Sequence, residues 1–552
     1  MRRKSKASVS ANSLMPSREV ALGLLGGGLL MGLAPVNAWP LAWIAMIPLW
    51  KLANESYRSH RYMLTGAAIW GLAYHGTALS WILWWVKPVL AMGVPVVAGV
   101  VIALFAWLFI SVWGAAIGMT WIVLLRQVGR WQPLGGGRQI LVGTALWCTV
   151  EWVWSRGPLY WTSLSYTQSP HNLVGLQLTQ ISGPITVTAA IVAVNGLLAI
   201  ALSTVQATTG QATTGQATTG QAITGQVTGP NRAALLFRRS TPAIALFLTL
   251  HLLGLILYSR PLMDRPDQSL AVGLVQGNIP TSEKLSASGI RASRQIYLDG
   301  YEALVKEGAQ LVITPEGSIA QTWKTFTQDS DLLMRAVVSN RVPLLLGTFA
   351  HTDMVNDQGP LTQSLLLLSP QEKVVGRYNK VKLVPLGEYI PFERVMRAVI
   401  GRFIPWQSLA PGRASQQLQT PFGPMAAGIC YESAFAELFR QQVNRGGQLI
   451  ITSSNNDPYP PRQMMQHHAQ DVMRAVENSR WEMRVTNTGI SGVVDPKGRS
   501  RWISEPGEWV THIDTLYRRQ HKTLYVRWGD WLTPLLLLLS ALCLFLNKPF
   551  SE

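Results

Sequence analysis

Cysteine is scarce in this chain: Cys148, Cys430 and Cys543 are the only three in 552 residues. A disulfide-stapled secreted scaffold is thereby excluded. Charge is scarce too, at 14% of residues, against roughly 25% in an ordinary soluble protein. Acids are almost missing from the first half. Before Asp264 there are Glu19, Glu55 and Glu151, against 17 lysines and arginines. Most of the formal net charge of +18 therefore sits where the chain is most apolar. No nucleic-acid-binding motif accompanies these cations, so no nucleic-acid partner is expected. They fall between apolar runs, as the positive-inside rule requires. Mean hydropathy is +0.18 and tryptophan numbers 22. Such a composition predicts a multi-span membrane protein with a soluble portion.

Seven apolar stretches precede residue 260, at about 20–36, 39–54, 63–86, 90–125, 139–155, 179–203 and 241–258. An eighth runs from about Trp528 to Leu546. A span needs about 20 apolar residues, so the shorter runs need help from interfacial side chains. The fourth is long enough to tilt, or to break at Gly114 or Gly118. Every second loop is basic: Arg2, Arg3, Lys4 and Lys6, then Lys51, Arg58 and Arg61, then Arg126, Arg130 and Arg138, then Arg232, Arg238 and Arg239. Placing these on the cytoplasmic side puts both termini inside and residues 260–527 outside. The first run could instead be a signal peptide cleaved after Val36-Asn37-Ala38, but the spans that follow favour an uncleaved anchor. Residues 206–229 repeat Gln-Ala-Thr-Thr-Gly, which predicts a flexible cytoplasmic insert.

Residues 268–515 change character. Short β-rich runs (Ser269–Val275, Gln310–Ile313, Val342–Gly347, Ser364–Leu368, Pro424–Ile429, Gln448–Thr452 and Arg484–Asn487) alternate with helical segments near 284–307, 328–340, 434–445 and 463–481. This predicts a layered α/β domain. The expected division is a transmembrane domain at 1–260, an α/β domain at 261–527, and a last membrane helix with its tail at 528–552.

Cys430 is the only cysteine of that soluble part. It ends the apolar run Pro424 to Ile429, just before a helix-like segment from Ala434. A buried structural thiol is the plain alternative, but a helix start would favour a thiolate. Glu316 follows Leu311-Val312-Ile313-Thr314-Pro315, and Lys380 closes Val374-Val375-Gly376-Arg377-Tyr378-Asn379. A carboxylate, an ammonium and a thiol at strand ends make a coherent acyl-transfer set: base, oxyanion stabiliser and nucleophile. The N–H of Tyr431 can add an oxyanion donor. By periodicity alone, Lys382 could replace Lys380. Glu388 and Glu432 read either as surface acids or as groups orienting the site.

Pro315-Glu316-Gly317, Tyr378-Asn379-Lys380 and Ile429-Cys430-Tyr431-Glu432 resemble, in chain order, the three motifs of the nitrilase superfamily. Leu383-Val384-Pro385-Leu386-Gly387-Glu388-Tyr389-Ile390-Pro391 narrows the resemblance to the apolipoprotein N-acyltransferase family. Val275-Gln276-Gly277-Asn278-Ile279-Pro280, Thr486-Asn487-Thr488-Gly489-Ile490, Glu151-Trp152 and Ser165-Tyr166-Thr167-Gln168 agree with it. The resemblance implies a four-layer αββα sandwich on an eight-helix membrane bundle. It assigns Cys430 as nucleophile, Glu316 as general base and Lys380 as oxyanion stabiliser, with Glu388, Tyr431 and Glu432 in support. Tyr389, Asn456 and Tyr459 become candidates for substrate binding. Two departures stand out: Leu285 replaces a usual tryptophan, and Asn455-Asn456-Asp457-Pro458-Tyr459-Pro460 replaces Ser-Asn-Asp-Ala-Trp-Phe-Gly, with Tyr459 as a substitute aromatic wall.

The implied reaction is ping-pong. Cys430 takes an acyl chain from a membrane phospholipid as a thioester, then passes it to the N-terminal α-amine of an S-diacylglyceryl-cysteine apolipoprotein. The implied setting is a bacterial inner membrane with a periplasmic catalytic domain, a monomer, no cofactor and no metal. The alternative enzyme is a membrane-tethered amidase that gives its thioester to water. Transporter and scaffold readings leave the Glu–Lys–Cys set unexplained. Glu151 reads either as half of an interfacial ion pair with Arg156 or as a group near the lipid substrate. Trp81, Trp84, Trp85, Trp152 and Trp154 fit a lipid entrance or ordinary interfacial anchoring. His467 and His468 diverge by about 100° on a helix, which suits a polar helix face better than a metal site.

Overall fold

Helices satisfy their backbone hydrogen bonds within one segment, which suits apolar runs to a lipid surrounding. The computed structural model describes residues 15–55, 58–91, 94–132, 134–214, 230–328, 332–371, 373–400 and 408–546. Its apolar half contains α1 (Arg18–Asn37), α2 (His60–Ala78), α3 (Val96–Trp131), α4 (Gly137–Trp154), α5 (Pro184–Thr214) and α6 (Pro230–Ser259). Ser17 and Ser59 cap α1 and α2 by accepting from Val20 N and Tyr62 N.

Four helices among the described residues are long and apolar enough to cross a membrane: α1, α3, Pro184–Val205 of α5 and Ala233–Ser259 of α6. Hydropathy alone anticipated eight crossings. The second run divides into a turn, Trp39–Leu41, and two short helices, Ala42–Ala45 and Ile47–Asn54, with Pro40 and Pro48 near the starts of the outer pieces. α2 opens on His60 and Arg61, and α4 carries Arg138, Gln139 and Glu151. The last run forms only the 14-residue helix Leu532–Phe545.

α3 is one unbroken helix, so of the tilt or break anticipated for this run the break at Gly114 or Gly118 does not occur. Gly114 serves close packing instead. A Cβ there would overlap the His75 imidazole of α2. Gly28 plays the same part on α1, lying against the Trp70 carbonyl. α5 continues through the first repeat to Thr214, where a flexible insert was expected, because extending a formed helix is far easier than nucleating one. The rest of the repeat, 215–229, lies outside the described residues, as do Arg2, Arg3, Lys4 and Lys6.

The second half contains β1 (Ser269–Gln276), β2 (Leu311–Ile313), β3 (Leu344–Asp353), β4 (Gln358–Leu368), β5 (Val374–Asn379), β6 (Ala426–Ile429), β7 (Ile450–Ser454), β8 (Glu482–Thr486), β9 (Gly492–Val494), β10 (Ser500–Ile503) and β11 (Val510–Tyr517). They form two sheets, ordered β11-β1-β2-β3-β4-β5 and β10-β9-β8-β7-β6. One apolar core lies between the sheets, with Val272, Ile313, Leu345 and Leu367 from the first meeting Ile429, Ile451, Met483 and Val493 from the second. The outer face of the first sheet packs on α7 (Ala287–Lys306) and α8 (Leu332–Asn340). That of the second packs on α9 (Ala436–Asn444) and α10 (Pro461–Asn478). Four layers result, in the order αββα. The inner strands are covered on both faces, so they read as continuous apolar runs and not as alternation.

Topology sets the site. β1, β2 and β3 are mutually parallel, and two antiparallel steps through β4 return β5 to the same direction. The chain leaves β2 and β5 at one edge, carrying Glu316 and Lys380 there. β6 brings Cys430 from the second sheet.

α10 is polar, as its histidines suggest, and it is also deeply buried. Fifteen of its 18 residues are buried, because one side meets the second sheet and the other meets the membrane half. Arg462 donates to Ser80 Oγ (3.1 Å) and Gly32 O (3.3 Å). Gln466 donates to Ala78 O (3.0 Å) and accepts from Trp81 Nε1 (3.1 Å) and Trp161 Nε1 (2.9 Å).

Candidate active site

Cys430 has φ of 52°, in the left-handed region that few non-glycine residues occupy. It opens a short turn, Cys430–Ala434, and α9 begins only at Ala436. The helix-start argument for a thiolate therefore loses its helix. Burial pushes the thiol up to about 12, Glu316 adds to this, and the Lys380 charge opposes it. The resting group is a protonated thiol that requires a base.

Glu316 and Lys380 lie close enough for their charges to act on that thiol. Glu316 Oε1 accepts from Lys380 Nζ at 2.7 Å, and Oε2 accepts from Asn455 N at 2.9 Å. Lys380 is fully buried, and its ammonium also donates to Glu388 Oε1 at 2.5 Å. Glu388 is held by Val384 N at 2.9 Å. Burial pulls Lys380 down, but Glu316 and then Glu388 outweigh it and hold the ammonium well above its ordinary range. Burial raises Glu388 despite that ammonium. Lys382 turns elsewhere: its ammonium sits over the Phe435 ring, 4.6 Å from the centroid.

Glu432 is no surface acid. It is fully buried and binds the strand ending at Cys430 to the chain beyond Lys380. Oε2 accepts from Ile429 N (2.7 Å) and Tyr378 Oη (3.0 Å), and Oε1 from Val381 N (2.5 Å) and Lys382 N (3.0 Å). Burial pushes this carboxyl up to about 7 while the backbone N–H groups hold it back. Tyr431 reaches the other way. Its hydroxyl donates to Pro158 O (2.7 Å) and accepts from Tyr160 N (3.0 Å), and its ring stacks on Trp161. The residue after Cys430 is thus tied to the membrane half.

Tyr459 is close enough to Cys430 for the two to interact electrostatically, and its ring packs edge-on against Trp81, 5.6 Å between centroids. Tyr389 is half-buried in the loop that carries Glu388. Asn456 is fully buried, with its amide shared among Gln463 (3.1 Å), His467 (3.2 Å) and Arg484 (3.0 Å), all within the protein. Leu285 is exposed. Its neighbour Lys284 is buried and donates to Glu316 O at 3.2 Å, with burial drawing its ammonium down to about 8.

His467 was expected on a polar helix face and not at the site. Its Nε2 contacts Cys430 O at 2.8 Å, and Nδ1 faces Asn456 and Arg484, so both ring nitrogens are engaged. The available signal was the composition of α10, rich in Gln, His and Asn, which marks a buried hydrogen-bonded helix better than a solvated one. Glu151 forms no pair with Arg156. It accepts from Ser163 (2.5 Å), Thr188 (2.9 Å) and Trp147 (3.1 Å), while Arg156 lies over Trp152.

An αββα sandwich with a Cys, a Glu and a Lys at its strand ends is the architecture of a carbon–nitrogen hydrolase joined here to membrane helices. The Carbon-nitrogen hydrolase family matches residues 271–517, and the Apolipoprotein N-acyltransferase N-terminal domain matches residues 25–197. An apolipoprotein N-acyltransferase of Nostoc sp. is 43% identical over 94% of this chain and 97% of its own length. One of Synechocystis sp. is 37% identical over 93% and 98%. The chain belongs to the apolipoprotein N-acyltransferase family. Among solved structures, Nit3 of Saccharomyces cerevisiae, a nitrilase-superfamily member, is similar at 20% identity and a TM-score of 0.34, over 45% of this chain and 90% of that one. An amidase from Nesterenkonia sp. is similar at 17% identity and a TM-score of 0.35, over 48% and 95%.

Proposed function

We propose that this protein moves an acyl chain from a membrane phospholipid to the N-terminal α-amine of an S-diacylglyceryl-cysteine apolipoprotein, by way of a thioester on Cys430. The observation that carries the reading is the Lys380 ammonium, buried between the Glu316 and Glu388 carboxylates beside a buried thiol. Glu316 takes the thiol proton as sulfur attacks the ester carbonyl. Lys380, with the N–H of Tyr431, stabilises the tetrahedral oxyanion. Glu316 returns the proton to the departing lysophospholipid oxygen. The apolipoprotein amine, with an ordinary pKa of about 8, is partly neutral near pH 7. It attacks the thioester, Glu316 accepts its proton, and the amide leaves as the thiol reforms. Glu388 and Glu432 hold Lys380 and Cys430 in register, and Tyr389 and Tyr459 border the acyl path.

The membrane half explains itself on this reading. Drawing an acyl chain into water costs about 0.8 kcal/mol per CH₂, and a site fastened to membrane helices avoids that cost. The arrangement we favour has eight spans, a membrane domain at 1–260, a periplasmic catalytic domain at 261–527, and a C-terminal helix and tail at 528–552. Both termini face the cytoplasm of a bacterial inner-membrane monomer. The test is intact mass after incubation with phospholipid. An acyl-sized increase, removed by hydroxylamine and absent in Cys430→Ala, is expected. Apolipoprotein acylation surviving in Cys430→Ala would end the nucleophile assignment.

A further inference from the structure

A cavity of about 470 Å³ opens where α4 and the start of α5 meet the α/β half. Cys430, Glu316, Lys380 and Glu388 do not line it. Its acids are all engaged. Glu437 is clasped by Arg440 through two contacts of 2.7 and 2.6 Å. Asp530, just before the helix Leu532–Phe545, accepts from Thr533 N (3.1 Å), Thr533 Oγ1 (2.7 Å) and Ser182 Oγ (3.2 Å). Glu151 holds the three partners described above. Two cations are left over. Arg156 lies 3.4 Å from the Trp152 ring centroid and donates to Trp152 O, and Lys382 lies over Phe435. Neither forms an ion pair among the described residues, although Glu437 and Asp530 feel the Arg156 charge. Burial disfavours the charged form of Lys382, Glu432 opposes this, and Arg156 adds to it. Two like charges with no direct carboxylate partner beside one cavity offer an anion two contacts. The rim shows its surroundings: Trp152 and Trp528 are 38% and 66% exposed at helix ends, the placement of headgroup-level tryptophans. The volume falls within the range of organic ligand sites and far exceeds the needs of a bare phosphate.

We propose that this cavity binds a phospholipid with an anionic headgroup, its phosphate between Arg156 and Lys382 and its chains leaving past Trp152 and Trp528. This lipid is held and not consumed, and it is distinct from the acyl donor at Cys430. The site requires that the chain lie in a membrane, but not that it transfer acyl groups.

The test uses full-length protein carrying Cys430→Ala, which removes turnover, in nanodiscs of phosphatidylcholine doped with phosphatidylglycerol. Native mass spectrometry then counts retained lipid. Phosphatidylglycerol should be retained in preference to phosphatidylcholine. Arg156→Gln and Lys382→Met should each cut that retention about tenfold, as expected for loss of one charge-assisted contact. Lys382→Met keeps most of the apolar stem over Phe435, so a folding defect is separable by its melting temperature. Lipid held at the catalytic pocket is insensitive to both changes. Equal retention of the two lipids, or retention unchanged in both variants, overturns the proposal. Complete displacement of phosphatidylglycerol by millimolar inorganic phosphate overturns the lipid assignment in favour of a free-anion site.

Discussion

His467 donates its Nε2–H to the carbonyl oxygen of Cys430 across 2.8 Å. The tautomer follows from the other nitrogen. Nδ1 lies 2.8 Å from the Arg484 guanidinium, which can only donate, so Nδ1 accepts and Nε2 carries the proton. A neutral ring thus hooks the backbone of the nucleophile and helps keep it in its left-handed conformation. His467→Phe keeps the bulk and loses the hook. We expect about a tenfold slower acyl-enzyme formation, in line with about 1.4 kcal/mol for one buried hydrogen bond. His467→Gln should recover part of that rate. Intact-mass time courses measure both.

The same ring gives the protein an acid limit. Burial, assisted by Arg484, pushes His467 down to about 3, and burial takes His468 to about 4. The unfolded chain protonates both near pH 6.5. Between pH 6.5 and about 3 the unfolded state binds protons that the folded state refuses. Stability is therefore full above pH 6.5 and falls as pH drops through that window. Melting temperatures from pH 7 to pH 4 should decline, and His467→Gln should flatten the decline. An unchanged slope would show the histidine to be titrating freely in the folded state.

Lys380 separates two carboxylates. Lys380→Met leaves Glu316 and Glu388 facing each other without a cation, which should cost about 3–5 kcal/mol of stability. Adding Glu388→Gln relieves one charge and should recover part of the melting temperature. Acyl-enzyme formation should stay absent in both, because no ammonium remains for the oxyanion. Recovery of activity in the double variant would assign the oxyanion to another group.

Glu316 acts on the Cys430 thiol in two opposing ways. Its charge raises the thiol, yet in the proposed reaction it is also the base that takes the proton. Glu316→Gln should therefore make Cys430 alkylate at lower pH while acyl-enzyme formation is lost. Iodoacetamide labelling followed from pH 6 to pH 10 reads the first effect, and intact mass reads the second. A thiol that becomes harder to alkylate would contradict the electrostatic argument.

The strands that end in Glu316, Lys380 and Cys430 were legible because doubly covered strands are continuous apolar runs. The choice between Lys380 and Lys382 was not legible from periodicity. Both follow the same strand, and what parts them is the pair of carboxylates around Lys380 and the Phe435 ring beneath Lys382. β9, β10 and β11 were missed because Gly492–Val494 is short, and because Ser500–Ile503 and Val510–Tyr517 are largely polar and partly exposed. The contact of His467 with Cys430 was not legible because a helix period shows which residues share a face, not what covers the face. α10 is covered on both sides by halves of the protein far apart in sequence. Glu151 was weighed against Arg156 by their spacing, yet its partners Ser163 and Thr188 come from beyond its own helix.

Tyr431 tests whether the union of the two halves matters to catalysis. Its hydroxyl bridges Pro158 O and Tyr160 N, and Tyr431→Phe keeps the stacked ring while leaving the Tyr160 N–H without that acceptor. About 1–2 kcal/mol of coupling between the halves should be lost. In the proposed reaction a phospholipid donor arrives from the membrane side and needs that coupling, whereas a short water-soluble acyl ester does not. Acyl-enzyme formation should slow about tenfold with phospholipid, by the energy of that coupling, and change little with the soluble donor. Equal slowing with both donors would place the Tyr431 hydroxyl's effect at the thiol itself, because a loosened junction cannot impede a donor that never crosses it.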